Sequence, residues 1–196
     1  MTTYFVTGAT GFLGRRLLER LLRRPDATVS VLVRASSKAR LEAELARLEG
    51  GERVTPLVGD LAAEGLGLSA QDRAALQGVD HVVHLAALYD MTASDERNRA
   101  VNIDGTRRAV ELADEVGAGV FHHVSSVAVA GEHPGRFTEE MFSEGQHLPS
   151  PYHATKFEAE RIVREDGRTP WRVYRPAVVV GDSRTGEMDK IDGPYY

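Results

Sequence analysis

Cysteine is absent from the 196 residues, which excludes disulfides, thiolate metal sites and cysteine nucleophiles. No apolar run approaches the ~20 residues needed to cross a bilayer. Basic residues are not in excess: 24 Lys and Arg stand against 29 Asp and Glu, a formal net charge of −5. They are scattered among the acidic residues, so no face suits a nucleic-acid backbone. The first strand pattern begins within a few residues of Met1, so no secretory signal is expected ahead of it. A cytoplasmic location is therefore expected. Solenoid-type repeats and low-complexity segments are also missing. What remains is an ordinary globular composition, long enough for one good-sized core.

The chain alternates strand and helix patterns six times. Residues 3–7, 28–33, 54–58, 79–85, 120–125 and 171–174 read as strands. Helical stripes fall between them: 12–22, the Leu41, Leu45 and Leu48 stripe, 69–76, 95–116 and 152–165. In the fourth of these, Val101, Ala109, Leu112, Ala113 and Val116 are expected to face the core. Such alternation implies an α/β doubly wound parallel sheet with helices on both faces, a Rossmann-type fold. Pro56 cannot donate to a ladder, so the third strand belongs at a sheet edge. That agrees with the strand order 3-2-1-4-5-6. The segment 131–151 is a long loop with three prolines, and a loop of this length inside a compact domain is usually functional.

The first strand runs into Thr7-Gly8-Ala9-Thr10-Gly11-Phe12-Leu13-Gly14, and a leucine-rich helix begins at once. Gly8 lets the chain turn sharply. Gly11 lets the backbone approach a pyrophosphate, and Gly14 lets the helix pack closely. The open N–H groups and positive dipole end of the helix suit an anion. Thr7, Gly8, Thr10, Gly11, Phe12, Leu13 and Gly14 are thus the expected dinucleotide cradle.

A second constellation is Ser126, Tyr152 and Lys156. Tyr152 and Lys156 are four apart on one helix face. Ser126 ends the fifth strand, beside the crevice where such sheets bind ligands. A tyrosine can give its proton to a carbonyl oxygen as hydride reaches the carbon, and a neighbouring ammonium favours its phenolate. The serine hydroxyl can stabilise charge developing on that oxygen. Spacing alone does not decide between Ser125 and Ser126.

Thr7-Gly8-x-x-Gly11-x-x-Gly14, Asp60, His84-Leu85-Ala86-Ala87, Asn102-x-x-Gly105-Thr106, Ser125-Ser126, Tyr152-x-x-x-Lys156 and Tyr174-Arg175-Pro176 together resemble an extended short-chain dehydrogenase/reductase. The stretches Val33-Arg34-Ala35-Ser36, Gly59-Asp60-Leu61, Leu88-Tyr89-Asp90-Met91 and 186–196 resemble its fatty acyl-CoA reductase and thioester reductase branch. The resemblance is closest to the amino-terminal reductase domain of bacterial long-chain fatty acyl-CoA reductases. It implies that Asp60 and Leu61 hold adenine and that Ala86 and Ala87 line the path to the nicotinamide ribose. It implies that Asn102 supports the helix and the active-site water, and that Ser126, Tyr152 and Lys156 are catalytic. Ser125, Arg175 and Pro176 then approach the cofactor.

The resemblance further implies NADPH-dependent reduction of a long-chain acyl thioester or a fatty aldehyde. The substrate is a small molecule; no nucleic acid and no membrane span are involved, and the oligomeric state is open, with a homodimer as the candidate. Two rivals stand beside it: another extended-family enzyme (nucleotide-sugar epimerase or dehydratase, or hydroxysteroid-type dehydrogenase) and a non-catalytic NADP-binding regulator. Residues 1–196 are expected to be one NAD(P)-binding domain, a fragment of a longer chain whose substrate part is missing.

Arg34, after the second strand, favours NADP(H) over NAD. An acidic residue there would accept from a ribose 2′-OH, whereas an arginine suits a 2′-phosphate. Lys38 or Arg40 is a candidate second charge. The seven histidines do not make a metal site: His122 and His123 point to opposite faces of a strand, as do His81 and His84.

Overall fold

Six short runs rich in β-branched and apolar residues form one parallel sheet. In the computed structural model, which describes residues 1–87, 95–186 and 188, these are β1 (Thr2–Thr7), β2 (Ala27–Val33), β3 (Val54–Val58), β4 (His81–His84), β5 (Val120–Val124) and β6 (Trp171–Tyr174). Their spatial order is β3-β2-β1-β4-β5-β6. β1 lies at the centre, in register with β2 through Thr7↔Leu32 and with β4 through Thr7↔His84. Pro56 lies on the edge strand β3, where its missing N–H breaks no interior ladder. β4 is shorter than the sequence pattern suggests: Val79 bonds to Leu76 and Gly119, and Leu85 makes only a last bond to the Thr7 carbonyl at the end of β1.

Helices α1 (Phe12–Leu22) and α2 (Ala35–Leu45) cover one face, and α3 (Ala70–Ala75), α5 (Gly105–Glu115) and α6 (Pro151–Glu165) the other. Alternate residues of β1 divide between the two cores. Tyr4 and Val6 pack with Leu18, Leu22, Leu41 and Leu45, while Phe5 packs with Leu112, Phe121 and Ile162. Each such fully buried side chain is worth about 1.5–3 kcal/mol. α1 and α2 reach only across β1–β3. Among the described residues the same face is open over β4–β6, as a trough of about 1240 Å³ bordered by Leu17, Leu21, His81, His122 and Tyr174. Ser126, Tyr152 and Lys156 do not line it.

The fourth helical stripe is not one continuous α-helix. α4 (Asp95–Arg99) passes through a π-helical turn, Ala100–Asp104, into α5. The wider turn shifts the helix phase. Ile103 is therefore buried and Val101 only half-buried, contrary to a single 3.6-residue period. The same turn carries Asn102 inward, to 2 % exposure.

Candidate active site

The site lies at the carboxyl ends of β1, β4 and β5. Gly8 has φ +78°, which the turn after β1 requires. A Cβ there would sit 2.6 Å from the Ala86 nitrogen, so the turn rests directly against the segment after β4. A Cβ on Gly14 would sit 2.1 Å from the Gly8 carbonyl oxygen. Gly14 thus seats α1 on the turn itself rather than on the sheet.

Gly11 is different. It is exposed, the one close neighbour of an added Cβ among the described residues is the Gly8 oxygen at 3.3 Å, and it is the N-cap of α1. Among the described residues no side chain caps α1, and no acidic residue occupies its first turn. The first N–H groups of the helix therefore face outward, beside a glycine with no side chain to cover them. An anionic pyrophosphate fits this cradle.

Arg34 is exposed at the end of β2 and is the N-cap of α2. The two candidate companion charges are already engaged along α2: Lys38 with Glu42 at 3.7 Å and Arg40 with Glu44 at 3.9 Å. Asp60 follows β3 in an Asx turn, its carboxylate accepting from the Ala62 N–H at 2.8 Å. The Leu61 carbonyl accepts from Arg108 of α5 at 3.1 Å.

The end of β5 and the start of α6 hold the chemistry-bearing groups. Ser126 turns its hydroxyl back to accept from the Ala128 N–H at 3.1 Å. Ser150 caps α6, accepting from the His153 N–H, with Pro151 in the first turn. Tyr152 is half-buried on that turn. Lys156, one turn further, is 4 % exposed and donates to the Val124 carbonyl at 2.9 Å. Burial lowers its ammonium to about 8, although the Glu160 carboxylate acts in the opposite sense. Asn102 reaches α6 through a long contact of 3.5 Å to the Thr155 hydroxyl.

Two expected site residues are committed elsewhere. The Ser125 hydroxyl donates to Glu160 at 2.7 Å, whereas the Ser126 hydroxyl makes no bond to that carboxylate and accepts from the Ala128 N–H. Arg175, expected near the nicotinamide, turns inward: its guanidinium donates twice to Glu160, at 2.6 and 3.1 Å. It also donates to the carbonyls of Thr138 and Met141. The reason is electrostatic. Glu160 is 0 % exposed, and burial alone would raise its carboxyl; donors from Arg175, Ser125 and Arg164 outweigh that and lower it. Glu160 carries no sequence signal beyond its place eight residues after Tyr152, on the helix face that carries Lys156. Pro176 follows β6, its carbonyl accepting from Val127. Ala86 and Ala87 end the described segment after β4; Leu88-Tyr89-Asp90-Met91, Glu187 and 189–196 lie outside the described residues.

Four of the histidines pair across strands β4 and β5. His81 and His122 approach at 3.1 Å on one face, while His84 and His123 stack 5.7 Å apart on the other. Among the described residues no group of three potential ligands converges.

The profile of an NAD-binding family described as male sterility protein matches residues 6–196. The chain belongs to this family. It is 36% identical over 205 residues to a linear gramicidin synthase polypeptide of Brevibacillus parabrevis, covering 95% of this chain and 4% of that one. It is 27% identical to the fatty acyl-CoA reductase wat of Drosophila melanogaster, covering 97% and 46%. Among solved structures, the terminal R domain from the myxalamid PKS-NRPS pathway superposes with a TM-score of 0.81 at 34% identity, covering 95% and 51%. This male sterility-type domain thus has the extended short-chain dehydrogenase/reductase fold and spans at most about half the length of these three relatives.

Proposed function

We propose that this domain binds NADPH and takes part in reducing a long-chain acyl thioester, or the derived aldehyde. The observation that carries the reading is the pairing of two features at one end of the sheet. One is the uncapped, glycine-faced start of α1; the other is the Tyr152–Lys156 turn of α6, with its buried ammonium. The pyrophosphate would lie on the N–H groups of Phe12, Leu13 and Gly14, with Arg34 on the 2′-phosphate and Asp60 and Leu61 beside adenine. When bound, the dinucleotide supplies a hydride.

The protein's own residues do the rest. Tyr152 places its hydroxyl on the substrate oxygen and gives up its proton as negative charge builds there. Ser126 donates a second hydrogen bond to the same oxygen. Lys156 holds its ammonium next to that turn, favouring the phenolate that the proton transfer leaves behind, and binds ribose hydroxyls. From a thioester the result is a hemithioacetal, whose collapse releases a thiol and an aldehyde. The relatives named a fatty acyl-CoA reductase and a terminal R domain support a thioester rather than a sugar nucleotide.

The test is NADPH oxidation by the full-length protein against panels of acyl-CoA, fatty aldehyde and sugar nucleotide. Turnover of palmitoyl-CoA or its aldehyde is expected. Turnover of a sugar nucleotide alone would overturn the reading.

A further inference from the structure

Glu160 is a fully buried carboxylate on α6, and all its acceptor sites are taken. Oε2 accepts from the Ser125 hydroxyl at 2.7 Å and from Arg175 Nε at 3.1 Å. Oε1 accepts from Arg175 Nη2 at 2.6 Å and from Arg164 Nε at 2.8 Å. A carboxylate offers about four such sites. The donors come from three places: the end of β5, the segment after β6, and α6 itself.

Arg175 extends the cluster outward. Its side chain is 12% exposed, and beyond Glu160 it donates to the carbonyls of Thr138 at 3.3 Å and Met141 at 2.9 Å. Its guanidinium also lies 5.4 Å from the Phe137 ring centroid. Residues 137–141 belong to the loop 131–150. That loop starts just after Ser126–Ala130 and ends at Ser150, which caps the helix turn bearing Tyr152. Its other half has a separate anchor. Phe142 stacks on Phe157 at 4.4 Å, and Gln146 donates to the carbonyls of Val129 and Phe142.

We propose that Glu160 is a positioning residue: its carboxylate binds Ser125 and, through Arg175, the 137–141 part of the loop to α6, fixing where Ser126 and Tyr152 stand relative to each other. Apolar packing would hold these segments together as firmly. A fully occupied carboxylate also sets their angle, because each hydrogen bond weakens steeply off axis. The inference rests on the reading of Ser126 and Tyr152 as the groups that hold the substrate oxygen.

Two variants test it. Arg175→Lys keeps a cation but lacks the fork that spans Glu160 and both carbonyls. Glu160→Gln keeps the shape and removes the charge. Amide exchange by mass spectrometry is read over 131–150 and, as an internal control, over β1–β3. Both variants are expected to speed exchange in 131–150 by about tenfold or more while β1–β3 stays unchanged.

NADPH affinity is read against pH as the second measurement. The titratable groups facing Lys156 are the Glu160 carboxylate, which is its charged partner, and the buried imidazoles of His84 and His123, which are neutral. Glu160→Gln therefore moves the alkaline loss of affinity to lower pH, while Arg175→Lys leaves it in place. Unchanged exchange in the loop, or exchange that rises equally across the domain, would overturn the proposal. Should Glu160→Gln fail to fold, Arg175→Lys decides by exchange alone. Wild-type protein that does not bind NADPH would count against the proposed function, and the exchange pattern would still decide the role of Glu160.

Discussion

The hydroxyl of Thr7, at the last position of β1, lies 2.8 Å from Nδ1 of His84, at the last position of β4. Both side chains are essentially fully buried. On its other side, His84 Nε2 lies 3.1 Å from the Thr106 hydroxyl, which donates to the Asn102 carbonyl at 2.7 Å. The order of donors follows. Thr106 spends its proton on Asn102, so it accepts from His84 Nε2–H; Nδ1 is then the acceptor for Thr7. A neutral imidazole thus links the strand that leads into the glycine turn with the π-helical turn that carries Asn102. Thr7→Val removes the donor and leaves Nδ1 buried and unpaired. A stability loss of about 1–3 kcal/mol is expected from urea denaturation. A loss below about 0.5 kcal/mol would mean that the link contributes little to the fold.

The neutral state of that imidazole has a consequence for acid stability. Burial, with the Lys156 charge adding to it, lowers His84 to about 3. Burial also holds His123 well below 6.5, with Lys156 and His84 adding to it. The unfolded chain takes up these protons near 6.5 and the folded protein resists them. The stability associated with neutral histidines is therefore complete above about pH 6.5 and is lost as pH falls toward the folded values, at up to about 1.4 kcal/mol per pH unit for each group. Neither ring nitrogen of His123 has a hydrogen-bond partner among the described residues. His123→Phe keeps a ring in place and removes one titrating group. Burial also lowers His122 to about 4, so His123 is one of three such groups, and a fall in melting temperature between pH 6 and 4 that is shallower by about a third is expected from calorimetry. An unchanged slope would show that carboxylates govern acid unfolding.

Arg34 has no acidic partner among the described residues and stands free at the end of β2. If it holds a 2′-phosphate, Arg34→Ala removes a charge-assisted hydrogen bond worth about 1.5–3 kcal/mol. NADPH affinity, followed by titration of the nucleotide fluorescence, is expected to fall by about ten- to a hundredfold, with NADH affinity unchanged. An equal loss for both nucleotides, or tighter binding of NADH by the wild type, would remove Arg34 from its assigned place.

The strands, their order and the glycine turn are all legible in the sequence, because each rests on local chemistry. Period-2 and apolar runs mark β1 to β6, Pro56 marks the edge, and glycines mark the turn. Tyr152 and Lys156 are legible because a four-residue spacing fixes a helix face. Less visible are the features that depend on distant partners. The π-helical turn at 100–104 leaves no trace in a 3.6-residue pattern, so Val101 is read as core in place of Ile103. Glu160 looks like any polar helix residue until β5, β6 and the 131–150 loop bring Ser125 and Arg175 to it. Arg175 is drawn inward for the same reason: a buried carboxylate is a stronger partner than a solvated crevice. The cross-strand pairing of His84 with His123 likewise depends on the β4–β5 register, which no local pattern encodes.

Tyr152, as the proton donor to a reduced carbonyl, is the centre of the proposed chemistry. The direct measurement is NADPH consumption by the full-length protein supplied with long-chain acyl-CoA, comparing wild type with Tyr152→Phe. The substitution removes one hydroxyl from a half-buried ring and leaves Lys156, Ser126 and the glycine cradle in place. Turnover is expected to fall by about a hundred- to ten-thousandfold while NADPH affinity stays within about threefold. Turnover retained within about threefold of wild type would contradict the assignment of Tyr152 and, with it, the proposed chemistry of the site.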